Sequence, residues 1–160
     1  MSSFQTKINQ YPAYAVEGDF ASANPRVTML PVDEITVAGT GGVTVGRFAW
    51  VTDNTVRNAG TTAPSGFVHR EGQALITEYE GSASMLVPAG RPVTLCTRGD
   101  FWARTAAAAT RGQKVFASTT DGSVTVGTVG ATVAGYIETE FYVANDCAAD
   151  ELVKISTWSV

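Results

Sequence analysis

The residue types that could carry a reaction are few in this chain, and none falls into a spacing that a reaction needs. His69 is the single histidine. It stands between Val68 and Arg70 in a short strand-like run, and a metal site or nucleophile triad would have to form around it without any accompanying motif. It is read as a structural or surface histidine. Glu78 with Glu80, and Glu138 with Glu140, lie two apart, which on a strand puts both carboxylates of a pair on one face, as a glycoside hydrolase would require. Acids so spaced also make a solvated sheet face or meet arginines across a contact, and that is the reading adopted. Gly39-Thr40-Gly41-Gly42 follows a strand as a phosphate loop would. Phosphate binding there needs a helix whose amino end faces the anion, and Val43-Thr44-Val45 continues as a strand. A hairpin turn is expected instead. Gly81-Ser82-Ala83-Ser84 lacks the Gly-x-Ser-x-Gly spacing of a nucleophile elbow. Cys96 and Cys147 have no CxxC spacing and no histidine pair with which to hold zinc; two free, buried thiols are expected, with one disulfide as the alternative. No catalytic residue, metal or cofactor is assigned.

The elements that would position such residues are almost all strands. From Val27 onward the apolar period is two: Ile35 to Val37, a long run Val43 to Val51, then Gly66 to Arg70, Ala74 to Tyr79 and Met85 to Val87. Asp53 to Pro64 reads as a loop. The stretch Val87 to Arg104, with two prolines and two glycines, divides into a turn, a strand and a second turn that ends in the aromatic pair Phe101-Trp102. Cys96 should lie on the opposite face of its strand from Val93 and Leu95. Arg104 to Arg111 is the one run with helix propensity, one or two turns at most, closed by Gly112. Gly112 to Ala117 and Val124 to Val126 flank Asp121-Gly122 as the arms of a hairpin. In Ile137 to Val143 the residues Ile137, Thr139, Phe141 and Val143 share a face opposite Glu138 and Glu140, and in Leu152 to Trp158 Val153 and Ile155 oppose Lys154 and Ser156. Short strands with turns every 8 to 12 residues or so describe an all-β antiparallel sandwich or barrel.

Composition bounds what such a framework is for. The chain of 160 residues suits one domain. Charged residues are 16% of it, against about 25% for an average soluble protein, and the mean hydropathy of +0.05 is high. So little charge leaves part of an apolar surface for a partner. The net charge of −4 sits wholly between Glu138 and Lys154, and an acidic C-terminal quarter gives no purchase on phosphates, so nucleic acid is not expected as a ligand. The first residues lack an apolar run and a cleavage site, so no signal peptide is expected, and no run approaches a membrane span; the chain is read as soluble and cytoplasmic when made.

Residues 1–26 differ from the rest. Phe4, Ile8, Tyr11, Tyr14, Val16 and Phe20 are scattered among Pro12, Gly18, Ala and Asn with neither helical nor strand periodicity. One reading is an extended arm laid on a neighbouring subunit, its rings filling pockets. The other is a first strand and loop packed on the chain's own core. The division adopted is an extended N-terminal arm, residues 1–26, and a single β domain, residues 27–160.

Several stretches together carry a resemblance: Ala15 to Arg26, Gly42 to Trp50, Gly66-Phe67-Val68-His69-Arg70, Pro88-Ala89-Gly90, and Gly99-Asp100-Phe101-Trp102 through Gly112 to Ala117. In this order they resemble the structural cement, or head decoration, proteins of tailed bacteriophages. Such a resemblance implies a jelly-roll-like β domain, made in the infected bacterial cytoplasm and seated on the exterior of the virion's capsid. There it would bridge neighbouring capsomers of the phage major capsid protein and pair with itself, as a dimer ahead of a trimer. The contact residues expected are Phe4, Tyr11, Tyr14 and Phe20 as arm anchors, Arg26 at the arm's end, and Phe101 and Trp102 with Arg98 and Arg104 beside them. The alternative is a carbohydrate-binding β-sandwich displayed on the virion, using Phe101, Trp102 and nearby acids; an enzyme built around His69 on the same scaffold is the third reading.

Overall fold

The structure, a computed structural model, describes residues 14–31, 35–71 and 85–158. Its strands are β1 (Val27–Thr28), β2 (Val37–Ala38), β3 (Val43–Thr44), β4 (Phe48–Thr52), β5 (Thr55–Arg57), β6 (Gly66–Val68), β7 (Leu86–Val87), β8 (Leu95–Arg98), β9 (Asp100–Arg104), β10 (Lys114–Ser118), β11 (Val124–Gly127), β12 (Tyr136–Val143) and β13 (Leu152–Ser156). They form a six-stranded sheet in the order β1-β8-β6-β4-β5-β2, a five-stranded sheet in the order β11-β10-β12-β13-β9, and a small β3-β7 ribbon. The two large sheets face each other without closing, so the all-β fold is a sandwich and not a barrel.

Short apolar runs become strands here because both faces of the six-stranded sheet are covered, so its residues need no polar alternation. Phe48-Ala49-Trp50, Gly66-Phe67-Val68 and Leu95-Cys96 are buried throughout. One face contributes Phe48, Phe67 and Cys96 to the core between the large sheets, where they meet Phe101, Phe141, Val143 and Ile155. The other face contributes Ala49, Val68, Leu95 and Val93 to a smaller aliphatic core that includes Val43 and Val45 and packs on Val87. Cys96 and Leu95 therefore lie on opposite faces, as the alternation predicts. In the five-stranded sheet the predicted core faces of β12 and β13 hold for Thr139, Phe141, Val143, Val153 and Ile155, which are buried, while Ile137 is half-buried and Ser156, on the face expected to be polar and open, is buried against Asp100.

Four local expectations are corrected. The run Val43 to Val51 is two strands, because Gly46 takes a φ of 77° and residues 17–18 cross it so closely that a Cβ there would lie 2.7 Å from the Cβ of Glu17. Gly39-Thr40-Gly41-Gly42 is a turn closed by a Gly42 N–H bond to the Gly39 carbonyl, but not a hairpin, since β2 and β3 join different sheets. The segment after Asp53 does not begin as a loop: Asp53 and Asn54 both have positive φ and turn β4 tightly into β5. That return lays β5 parallel to β2, Val37 opposite Thr55, so the sheet is not wholly antiparallel. Finally, Arg104 to Arg111 is not helical. Arg104 ends β9, and Thr105 and Ala109 are bridge residues beside Val124 and Cys147. Thr105 Oγ1 donates to the Ala107 carbonyl and accepts its N–H, offering the backbone a local alternative to a helical turn. The predicted hairpin of β10 and β11 is present; its loop is longer than Asp121-Gly122, and Gly122 is the residue with positive φ. The run Ala74 to Tyr79 with Glu78 and Glu80, and Gly81 to Ser84, lie outside the described residues.

Candidate functional site

The described part of the leading segment lies on the chain's own body. Gly18 N–H donates to the Trp102 carbonyl at 2.7 Å, Trp102 N–H to the Asp19 carbonyl at 2.9 Å, and Ala21 N–H to the Asp100 carbonyl at 2.9 Å. Residues 18–21 thus cover the free edge of β9, which would otherwise present unpaired donors and acceptors. Phe20 sits opposite Phe101. Its ring lies 5.7 Å from that of Phe101 and 5.1 Å from that of His69, and it remains 38% exposed. Of the alternatives for this segment, packing on its own core therefore describes residues 18–21. Tyr14 is fully exposed at 101%. Phe4 and Tyr11 lie outside the described residues.

Asp100 organises the end of this seam. Its Oδ1 accepts the Ser156 hydroxyl at 2.5 Å, and its Oδ2 accepts Ser22 Oγ at 2.5 Å and Asn24 Nδ2 at 2.6 Å. Burial pushes its pKa up, but these three bonds outweigh burial and hold the carboxyl below the ordinary carboxylate range.

Beyond Asp100 two arginines stack on two rings. The Arg26 guanidinium lies 4.5 Å from the Phe20 centroid and that of Arg98 lies 5.9 Å from the Trp158 ring. The Trp158 indole N–H donates to the Pro25 carbonyl at 2.7 Å, which ties the C-terminal strand's exit to the leading segment. Trp158 is 42% exposed, and Arg26, Val27 and Arg98 are exposed beside it. Sequence reasoning missed Trp158; its signal was a tryptophan two residues past Ser156, the end of β13. Neither Arg26 nor Arg98 forms an ion pair among the described residues.

The other expected contact residues divide. Phe101 is 0% exposed, with its ring against those of Phe20, Phe67 and Phe141. A side chain so enclosed cannot seat a partner or stack on a sugar, so Phe101 is a core residue, correcting its place among the contacts. Trp102 points to the opposite face and is half-buried, with Lys154 Nζ 5.0 Å from its ring. Arg104 is committed within the chain: Nε donates to Glu17 Oε1 and Nη1 to the Asp150 carbonyl. It fastens residue 17 and the turn before β13 to β9.

His69 is buried, with Nε2 3.2 Å from Glu71 Oε1 and Nδ1 3.5 Å from Cys96 Sγ. Burial lowers its pKa, Glu71 acting against this and Arg26 with it. Burial raises the Cys96 thiol to about 11, far from the lowered values of nucleophilic thiols. Both cysteines are free thiols; Cys96 is buried and Cys147 half-buried. Among the described residues no three His, Cys, Asp or Glu side chains group as metal ligands, and no helix is long and apolar enough to cross a membrane. A shallow cleft of about 490 Å³ opens beside β12, lined by Lys114, Glu138, Glu140, Thr97 and Pro64 among others. Lys114 Nζ faces the Tyr142 ring at 3.6 Å.

The geometry is that of a β-sandwich with arginines set over rings at its surface, and the comparisons agree with a structural role. The model of the family described as XM1 gp53 minor capsid protein matches residues 4–157. The chain belongs to that minor capsid protein family. Its fold is similar to that of a chain in the solved structure "The capsid of Myoviridae Phage XM1", with a TM-score of 0.66 and 17% identity over 98% of each chain. No curated protein matches the chain. Members of this phage family are structural and capsid-associated, which supports the resemblance drawn from the sequence motifs.

Proposed function

We propose that this capsid-associated protein is a non-enzymatic cement: it binds the outer surface of a phage head and bridges neighbouring capsomers of the major capsid protein. The observation that carries the reading is the family match, which spans residues 4–157 and so both sheets, Arg26 and Arg98 included. The physical logic is avidity. Packaged DNA pushes the shell outward, and a clamp of modest affinity repeated over a symmetric shell adds up without new chemistry. Localisation on the virion exterior, synthesis in the host cytoplasm and the absence of nucleic acid among its partners belong to the same proposal. So does self-association, as a dimer ahead of a trimer. Tyr14, Arg26, Arg98 and Trp158 are the described residues best placed for contacts, with Phe4 and Tyr11 as proposed anchors in residues 1–26.

The test is reconstitution. Heads assembled without this chain are mixed with the purified protein and imaged. Density on the outer surface across capsomer boundaries is the expected result; density on the inner surface, or no binding, overturns the proposal. The carbohydrate-binding alternative rested on Phe101 and Trp102 together, and the burial of Phe101 removes half of that platform.

A further inference from the structure

The two neighbours of β12 cover it unequally. β10 pairs with it from Tyr136 to Tyr142, whereas β13 meets only Tyr142 and Val143, through Ser156 and Ile155. Past Ser156 the chain stays with β9, where Thr157 N–H donates to the Gly99 carbonyl. Residues 136–141 therefore have no strand on that side among the described residues. A bulge lies in the same stretch. Lys114 is opposite Tyr142 and Phe116 opposite Glu138, so β12 takes the longer path there and bends. The Thr139 hydroxyl holds the bulge, donating to the Val115 carbonyl at 2.9 Å and accepting the Phe141 N–H at 3.2 Å. Other edges are closed by the chain itself: residues 18–21 lie on β9, Gly90 and Arg91 bond Ala38 of β2, and Ala106 N–H bonds Val124 of β11.

The cleft of about 490 Å³ follows the open stretch, lined by Lys114, Glu138 and Glu140 and, from the side of β6 and β8, by Ser65, Gly66 and Thr97. Two charges in it are unmet. Lys114 is only 7% exposed, and its ammonium rests on the Tyr142 ring without an ion pair or a hydrogen bond among the described residues. A buried charge ordinarily has an acceptor. Glu140 is exposed and also has no ion pair among the described residues, whereas Glu138 is occupied, its Oε2 accepting Gly130 N–H at 2.8 Å.

We infer that an extended segment of the shell's major capsid protein adds to this open side of β12 as a further strand, with a lysine or arginine set against Glu140. This rests on the cement role proposed above and names how the partner is held. A strand supplies what the cleft lacks. Its backbone donors and acceptors complete those of β12, and one of its carbonyls accepts from the Lys114 ammonium. A carboxylate is the other acceptor for an ammonium, but Glu138 and Glu140 line the same cleft and repel an anion, which selects the uncharged carbonyl. At about 3.4 Å per residue, residues 136–141 offer on the order of 20 Å of edge, enough for a strand of ordinary length. Charges on an edge usually deter a further strand. Here Glu138 is tied to Gly130 and Lys114 is drawn onto a ring, which leaves Glu140 to choose the sign of the incoming side chain.

The experiment saturates heads assembled without this chain and compares amide exchange in the bound and the free protein. Amides of residues 136–141 should exchange about tenfold more slowly when bound, and the imaged particle should show capsid-protein main chain about 5 Å from β12. Glu140→Lys sets like charges together, and Lys114→Met keeps the length of the side chain over Tyr142 while removing its donor. Each should weaken head binding about tenfold with folding unchanged by circular dichroism. Full binding with unchanged exchange at residues 136–141, or variants that bind as tightly as wild type, overturns the inference and leaves the cement role standing. A chain that does not bind heads removes both. Slowed exchange at these residues in the free chain as its concentration rises would seat a second copy there, and also overturns the inference.

Discussion

Around Phe67 the chain is fixed by buried rings, whereas along the free edge of β9 residues 18–24 are fixed by backbone hydrogen bonds, one carboxylate and a half-exposed phenylalanine. The rings of Phe48, Phe67, Phe101 and Phe141 lie 5.0 to 6.4 Å apart in tilted and edge-on pairs, arrangements that add to the burial of their surface. The seam on β9 buries less and depends on polar groups finding partners. The core sets whether the sandwich exists. The seam sets whether its leading residues and its arginine-bearing end stay in place, so the two should respond to different perturbations.

The largest effect is expected in the core. Phe67→Ala removes a ring enclosed by both sheets and should cost about 3–5 kcal/mol, read as a lowered midpoint in urea unfolding. A cost below that of an ordinary surface substitution would mean that the sheets are not held at this point. At the seam, Asp100→Ala leaves Ser22, Asn24 and Ser156 without their shared acceptor, and should cost about 1–3 kcal/mol. Its more specific sign is faster amide exchange at Gly18 and Ala21 with unchanged exchange at Phe67. Because the folded pKa of Asp100 is lowered, its contribution is present above the unfolded value of about 3.9 and is lost as pH falls through the folded value. Phe20→Ala should cost about 1–2 kcal/mol, since the ring is partly exposed, and should loosen the same amides in exchange measurements. The smallest effect is that of His69. Its folded pKa is lowered from 6.5 chiefly by burial, so stability should be flat above neutral pH and decline as pH falls from 6.5 toward the folded value. His69→Gln should remove that decline in unfolding midpoints measured across the range; an unchanged decline would place its cause elsewhere.

The same contrast explains what the sequence disclosed. Alternation in Ile137 to Val143 and Leu152 to Ile155 disclosed which face meets the core, while the burial of Ser156 on the other face follows from its bond to Asp100 and was not legible. Phe48-Ala49-Trp50 and Gly66-Phe67-Val68 were legible as strands, but their burial on both faces depends on a second layer that no local pattern encodes. The seam was not legible. Gly18, Asp19 and Ala21 are held through their backbones, which leave no periodicity, and the break at Gly46 follows from residues distant in sequence crossing it. Arg104 to Arg111 misled through its alanines, since bridges at Thr105 and Ala109 outweigh intrinsic propensity over so short a run. Of the expected contact residues, Arg26 and Arg98 belong to the exposed surface with Trp158, while Phe101 was read as available because a strand carries rings on either face with equal ease.

The central claim, a structural protein that strengthens a phage shell, is tested most directly by heating. DNA-filled heads lacking this chain are warmed with and without the purified protein, and DNA release is followed by dye fluorescence. A clamp across capsomers predicts release at a higher temperature, rising with occupancy until the sites are filled. Heads that bind the protein fully and still release DNA at the same temperature would contradict it.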